Sequence, residues 1–235
     1  MQMNLFQHSN HLMNSLYTIL KLTGIWWLLN VPYILIGAYL WGAPDVATVH
    51  MMGITGLILF PFVAIPATVT TLALARKYIK GYDELPFFKF FWKYYTREYV
   101  KSMIFGIINT AVLTVFYLSI RYYAGLSPIL ATFFYALAIV TPFFFLYVYS
   151  FLVDQELPLK AYLSNSMMLL LKYPFNGLLM IFEIFAAAYI MWMVFPPLLL
   201  FILPGLVALL STYFYEKSMR AELKKRQTSQ ELFTN

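Results

Sequence analysis

The sequence predicts an all-α membrane protein, a bundle of about six transmembrane helices with both termini in the cytoplasm (N-in/C-in). Three observations predict it. Of 235 residues, 62% are hydrophobic and 11% charged, whereas soluble domains average roughly 45–50% apolar and roughly 25% charged. The apolar residues gather into six runs of spanning length. Threading those runs alternately through a bilayer puts fifteen of the sixteen Lys and Arg on one side, as the positive-inside rule requires.

The runs are residues 22–41, 51–74, 102–120, 129–153, 175–195 and 197–215. In hydrocarbon every backbone N–H and C=O needs an internal partner, and unbroken apolar runs with short connections give helices. The strands of a barrel would alternate polar and apolar residues instead. Before the first run, Leu5, Leu12, Leu16, Ile19 and Leu20 fall near helical spacing. They predict an amphipathic helix on the cytoplasmic surface or an extension of the first span. The N-terminus lacks the basic region and cleavage site of a signal peptide, so the first span is expected to stay as an anchor. The organisation is then residues 1–21 as an amphipathic segment, 22–217 as one transmembrane domain and 218–235 as a polar cytoplasmic tail. Pro32, Pro61, Pro66, Pro142 and Pro204 lie within the runs, where each removes a hydrogen bond and can kink a helix.

Much chemistry is missing. The chain has no cysteine, which excludes disulfides, thiolate nucleophiles and Cys-based metal centres. It carries no P-loop, G-x-S-x-G, H-E-x-x-H or dinucleotide-binding glycine pattern. His8 and His11 are spaced to share a metal on a helix, but two ligands in a polar terminus are a weak signal; His50 falls in an external loop. Neither an enzyme nor any cofactor or metal is expected. The positive-inside rule accounts for the net charge of +6, so nucleic acid is not an expected partner.

The two long cytoplasmic connections look alike. Asp83-Glu84-Leu85-Pro86 and Gln155-Glu156-Leu157-Pro158 open them. With one residue of slippage, an offset of 71 then matches Lys89 with Lys160, Phe91 with Tyr162, Lys101 with Lys172 and Gly106 with Gly177. Either helix pairs 2–3 and 4–5 form a parallel internal repeat, or two basic, aromatic interfacial stretches resemble each other by chance. In the first connection Lys89, Lys93, Arg97 and Lys101 recur every four residues among Phe87, Phe88, Phe91, Trp92, Tyr95 and Tyr99. This segment is expected to lie in the headgroup plane, its cations reaching anionic lipid at roughly 1 kcal/mol each. The stripe either anchors the bundle or docks an acidic partner.

Glu183 is the carboxylate deepest in a run. Counting along the helices from their cytoplasmic ends puts Asn30, Asn109 and Glu183 all roughly 10–12 Å deep, with Thr70 and Thr71 nearby. They are candidates for an intramembrane polar site binding a proton, an ion or a small polar ligand. The plainer reading is a Glu–Asn hydrogen bond between helices, worth about 0.6–2 kcal/mol.

Several short motifs resemble the YesL-like family of bacterial membrane proteins. They are Asn30-Val31-Pro32 with Ile36-Gly37-Ala38, Phe60-Pro61 and Pro66-Ala67-Thr68 leading to Leu72-Ala73-Leu74-Ala75-Arg76-Lys77, and Phe87-Phe88-Lys89-Phe90-Phe91. Leu157-Pro158-Leu159-Lys160 and Lys172-Tyr173-Pro174 continue the likeness. An insert at about residues 40–59 departs from it and leaves open whether the first two runs are both full spans. Members are often encoded beside carbohydrate ABC importers and glycoside-degrading enzymes, so the resemblance implies an association with oligosaccharide uptake in a bacterial cytoplasmic membrane. It supplies no site residues. The expected partners are membrane lipids and subunits of such an importer. The expected role is accessory, with a small transporter or channel using the Asn30, Asn109 and Glu183 layer as the alternative.

Overall fold

The computed structural model describes residues 2–42, 45–81 and 87–234, with side chains described over 13–42, 45–81 and 90–228. The described residues are overwhelmingly helical and contain no strand, as a chain that must satisfy its own backbone in lipid requires. Among the described residues four helices are long and apolar enough to cross a membrane, and a fifth if one bent pair counts as a single span.

Helix α1 (Gln2–Leu29) runs without interruption from the predicted surface segment into the first span. The first apolar run is then broken: α2 (Val31–Trp41) turns away from α1 by 76°. Pro32 causes the break, since it lacks an N–H and its ring clashes with the carbonyl four residues back. Asn30 sits at the corner and donates its Nδ2 proton to the Trp26 carbonyl at 2.7 Å.

The second run is longer than expected. It comprises α3 (Val46–Leu59), a π-helical turn (Phe60–Ala64) and α4 (Ile65–Ile79). Asp45 caps its start by accepting from the Thr48 N–H at 2.6 Å. The π turn accommodates Pro61, the residue that cannot donate to a regular ladder. Helix α4 is the centre of the bundle, buried at every position from Ile65 to Ala75 except Thr68. Small residues such as Ala67, Thr70, Thr71, Ala73 and Ala75 let its neighbours α1, α5, α6 and α10 approach closely.

Helix α5 (Phe87–Tyr123) is a single helix of 37 residues, about 55 Å long, so it exceeds the ~30 Å hydrocarbon layer. The basic and aromatic segment is thus a continuous extension of the spanning helix and not a separate helix. No proline or glycine interrupts it before Gly106. There α5 touches the π turn, where an added Cβ would sit 2.8 Å from the Pro61 Cα. Helix α6 (Pro128–Asp154) returns, carrying Pro142 without a break, and α7 (Leu159–Lys172) and α8 (Pro174–Val194) follow.

The last expected span is divided between α9 (Leu198–Phe201) and α10 (Leu203–Thr234). Helix α10 continues far into the predicted polar tail. After Gly205 it contains neither Gly nor Pro, and its Glu, Lys, Arg and Ala are strong helix formers.

Candidate functional site

The charged side chains of three packed helices converge at the basic end of the bundle. Arg76, in the last turn of α4, lies between Asp154 at the end of α6 and Glu216 on α10. Its Nε donates to Glu216 Oε1 at 2.7 Å, and an Nη2 contact reaches Asp154. Lys80 reaches the same Glu216 oxygen at 3.8 Å, and the Tyr215 hydroxyl donates to Asp154 Oδ2 at 2.7 Å. Arg76, Asp154 and Glu216 have side chains only 11–15% exposed, so each carboxylate depends on the guanidinium for compensation. The cluster ties α4, α6 and α10 at one level.

A second group joins α7 to α10. Lys172 donates to Glu222 Oε1 at 2.6 Å and Arg226 to the same oxygen at 3.1 Å. The Lys172 ammonium, with help from Arg226, holds the Glu222 carboxyl below its ordinary range. These residues line a polar pocket of about 230 Å³ together with Asn165 and Gln155. One turn into α8, Asn176 Nδ2 donates to Ser218 Oγ at 2.8 Å.

The basic stripe of α5 is partly engaged within the chain. Lys93 and Arg97 are exposed, beside Trp92, which is 59% exposed. Arg97 lies 5.0 Å from the Tyr94 ring centroid and pairs with Glu98, while Lys101 lies 5.9 Å from the centroid of Tyr162. The Lys89 side chain lies outside the described residues. Behind the stripe, at i, i+4 spacing, Phe91 stacks on Tyr95 with centroids 6.1 Å apart and Tyr95 meets Tyr99 at a tilt with centroids 5.4 Å apart. The Tyr99 hydroxyl donates to the Phe62 carbonyl in the π turn at 3.3 Å.

The candidate polar layer is not brought together as one hydrogen-bonded group. Asn30 is buried at the α1–α2 corner and Asn109 is buried in α5, where its Nδ2 donates to the Tyr149 hydroxyl at 3.1 Å. Neither amide oxygen has a hydrogen-bond partner among the described residues. Glu183 is exposed on the outside of α8. Thr70 and Thr71 return their hydroxyl protons to carbonyls of α4 itself, at 2.8 Å each. Sequence reasoning missed Asp154 and Glu216. Their signal was available, since both are carboxylates at span ends on the side where the cations gather.

A family model described as a protein of unknown function, DUF624, matches residues 19–120, from α1 through most of α5. Over part of its length the chain is similar to YesL-like proteins. It is 26% identical over 131 residues to the uncharacterized protein YesL of Bacillus subtilis (strain 168), covering 55% of this chain and 62% of the relative. To the uncharacterized protein YteU of the same organism it is 27% identical over 115 residues, covering 48% and 52%. The chain therefore covers less than two thirds of either relative's length. No solved structure matches it. The YesL-like region contains Asn30, Arg76 and the α5 stripe, and it stops before the second connection.

Proposed function

We propose that this YesL-like protein is a non-enzymatic accessory subunit of the bacterial cytoplasmic membrane that docks an oligosaccharide ABC importer through its basic end. The chain crosses the membrane six times with both termini inside. The bent pair α1–α2 forms the first crossing and α9–α10 the last, which places Arg76, Lys93, Arg97 and Lys172 on the cytoplasmic side and Arg121 outside. The observation that carries the docking role is the exposed face of Trp92, Lys93 and Arg97 on a helix projecting straight from a span. Aromatic and Arg side chains on a rigid element suit a protein interface. The importer association rests on the family resemblance.

The experiment is a mild-detergent pull-down of the tagged protein at native expression, with mass spectrometry of what accompanies it. Importer permease or ATPase subunits are the expected recovery. Recovery of the protein alone would contradict the reading.

A cavity favours a second reading, that of a small transporter. Trp26, Thr68, Thr71, Leu146, Val207 and Ala208 help line about 440 Å³ between helices, three of which (α4, α6 and α10) carry the Arg76 cluster. In this reading the ion cluster closes the cytoplasmic end of the cavity. Solute flux into liposomes that rises on Arg76→Gln would support it, and a protein without flux would not.

A further inference from the structure

The polar pocket beside Lys172 holds more hydrogen-bond donors than the chain itself uses. It lies between the end of α6, helix α7 and helix α10. Lys172 offers three N–H donors and Arg226 five, and among the described residues each gives one to Glu222 Oε1. The other carboxylate oxygen accepts from the Tyr173 hydroxyl at 3.4 Å, so Glu222 is supplied while both cations keep donors to spare. The side-chain amides of Gln155 and Asn165, also in the wall, make no hydrogen bond among the described residues. Two cations against one carboxylate leave the wall net positive.

The level of the pocket follows from α8. Its 21 residues form a helix about 30 Å long, the thickness of the hydrocarbon layer, so Pro174 stands at one boundary and Lys172 just outside it among the headgroups. The bond from Asn176 to Ser218 sets Glu222, one turn further along α10, at the same level. Beneath the polar groups the pocket is apolar. Phe151 and Leu169 are buried in it, while Met168 and Leu223 line it and are also exposed, so they border its opening.

We propose that this pocket binds the phosphate of an anionic glycerophospholipid, held by Lys172 and Arg226, with the acyl chains leaving over Met168 and Leu223. Phosphate oxygens take charge-assisted hydrogen bonds from Lys and Arg, and basic pockets at the membrane surface hold lipid headgroups in this way. The volume of about 230 Å³ equals that of about seven waters at roughly 30 Å³ each. That is room for a phosphate and its glycerol but not for a whole lipid, so the chains stay outside. A soluble phosphate ester would gain nothing from the exposed Met168, Leu171 and Leu223. The site rests on the orientation proposed above only for its assignment to the cytoplasmic leaflet, and importer docking plays no part in it.

Native mass spectrometry of the delipidated protein in mild detergent tests this, with phosphatidylglycerol and phosphatidylcholine of matched chains as probes. The unmodified protein is expected to bind its first phosphatidylglycerol several-fold more tightly than phosphatidylcholine. Lys172→Gln/Arg226→Gln should abolish that preference. Lys217→Gln/Arg220→Gln, which removes equal charge from exposed positions of α10 outside the pocket, should keep it. Glu222→Gln removes the acceptor that competes for both cations and should tighten phosphatidylglycerol binding several-fold, whereas a purely structural role for the three residues would weaken it. Asn165→Trp fills the pocket with the ion pairs intact and should lower the affinity several-fold. These two single variants keep the test independent of whether the double variant folds. No preference in the unmodified protein, equal losses in the two double variants, weaker binding by Glu222→Gln or unchanged binding by Asn165→Trp would overturn the proposal. So would displacement of the lipid by an equal concentration of glycerol 3-phosphate, which would make the ligand a soluble phosphate.

Discussion

The two basic connections start from the same place and end differently. The first leaves α4 beside Arg76 and the second leaves α6 beside Asp154, and these two residues pair with each other. At positions related by the offset of 71, Phe91 and Tyr162 are both buried, but only Tyr162 carries a hydroxyl. It uses it to accept from the Leu157 N–H and donate to the Gln155 carbonyl, each at 2.9 Å, which pins the extended stretch before α7. Further along, Lys101-Ser102-Met103 corresponds to Lys172-Tyr173-Pro174. Helix α5 runs straight through its version, whereas the second connection breaks between α7 and α8 with Tyr173 at φ −126°, ψ 58°. A residue before proline is pushed out of the α region, so one residue separates a projecting helix from a folded-back one. The folded-back segment spends its cation Lys172 on Glu222 of α10. The projecting segment leaves Lys93 and Arg97 on the surface.

The shared root of both connections should be the most sensitive point. Arg76→Ala leaves Asp154 with only the Tyr215 hydroxyl and Glu216 with only Lys80 at 3.8 Å, and thermal unfolding in detergent is expected to show a loss on the order of 3 kcal/mol. A loss below about 1 kcal/mol would mean that water reaches and solvates the carboxylates.

The difference between the connections can itself be broken. Met103→Pro introduces into α5 the residue that interrupts the second connection, and a cost of about 3 kcal/mol is expected. Pro174→Ala acts at the first position of α8, where a missing N–H costs little, and should stay within about 1 kcal/mol. Similar costs for both substitutions would show that proline does not decide the path.

The matched glycines sharpen the comparison on a smaller scale. At Gly106 a Cβ meets backbone and ring atoms of Pro61, which cannot swing away, while at Gly177 it meets the far end of the Leu170 side chain at 2.8 Å. Gly106→Ala is expected to cost about 1–3 kcal/mol. Gly177→Ala should be nearly neutral, since the helix-propensity gain of about 1 kcal/mol offsets a shift of Leu170. Equal losses in the two would contradict this contact geometry.

The smallest effect concerns pH. Lys172 depresses the Glu222 carboxyl, so its contribution is fully present above the ordinary carboxylate range and is lost as pH falls through the lowered value. Lys172 and Arg226 are 45% and 69% exposed, so the contribution is no more than about 1 kcal/mol. Acid titration of unfolding should lose that increment in unmodified protein and show none of it in Glu222→Gln.

Four of the six expected spans were legible in the sequence, because long apolar runs report burial in lipid directly. The run at 129–153 became Pro128–Asp154, and the run at 175–195 became Pro174–Val194. The corner at Asn30 was less legible, because a proline in a membrane helix signals a kink without fixing its angle. The continuity of α5 was misjudged since basic, aromatic composition suits an interfacial helix as well as a protruding one. For the candidate site, depth could be counted but direction could not. Asn109 and Glu183 were placed at similar depth, yet α5 turns its amide inward and α8 turns its carboxyl outward, and only the packing partners of each helix determine that. Arg76 was counted as a topological charge, and its pairing with carboxylates 78 and 140 residues away exists only in the folded bundle.

The central claim is that the projecting connection docks a partner and the folded-back one does not. The direct measurement is quantitative co-purification of importer subunits with two double variants, Lys93→Ala/Arg97→Ala on α5 and Lys172→Ala/Arg226→Ala at the α7–α10 contact. The account predicts loss of the partner with the first pair and retention with the second. Retention with the first, or equal loss with both, would contradict it.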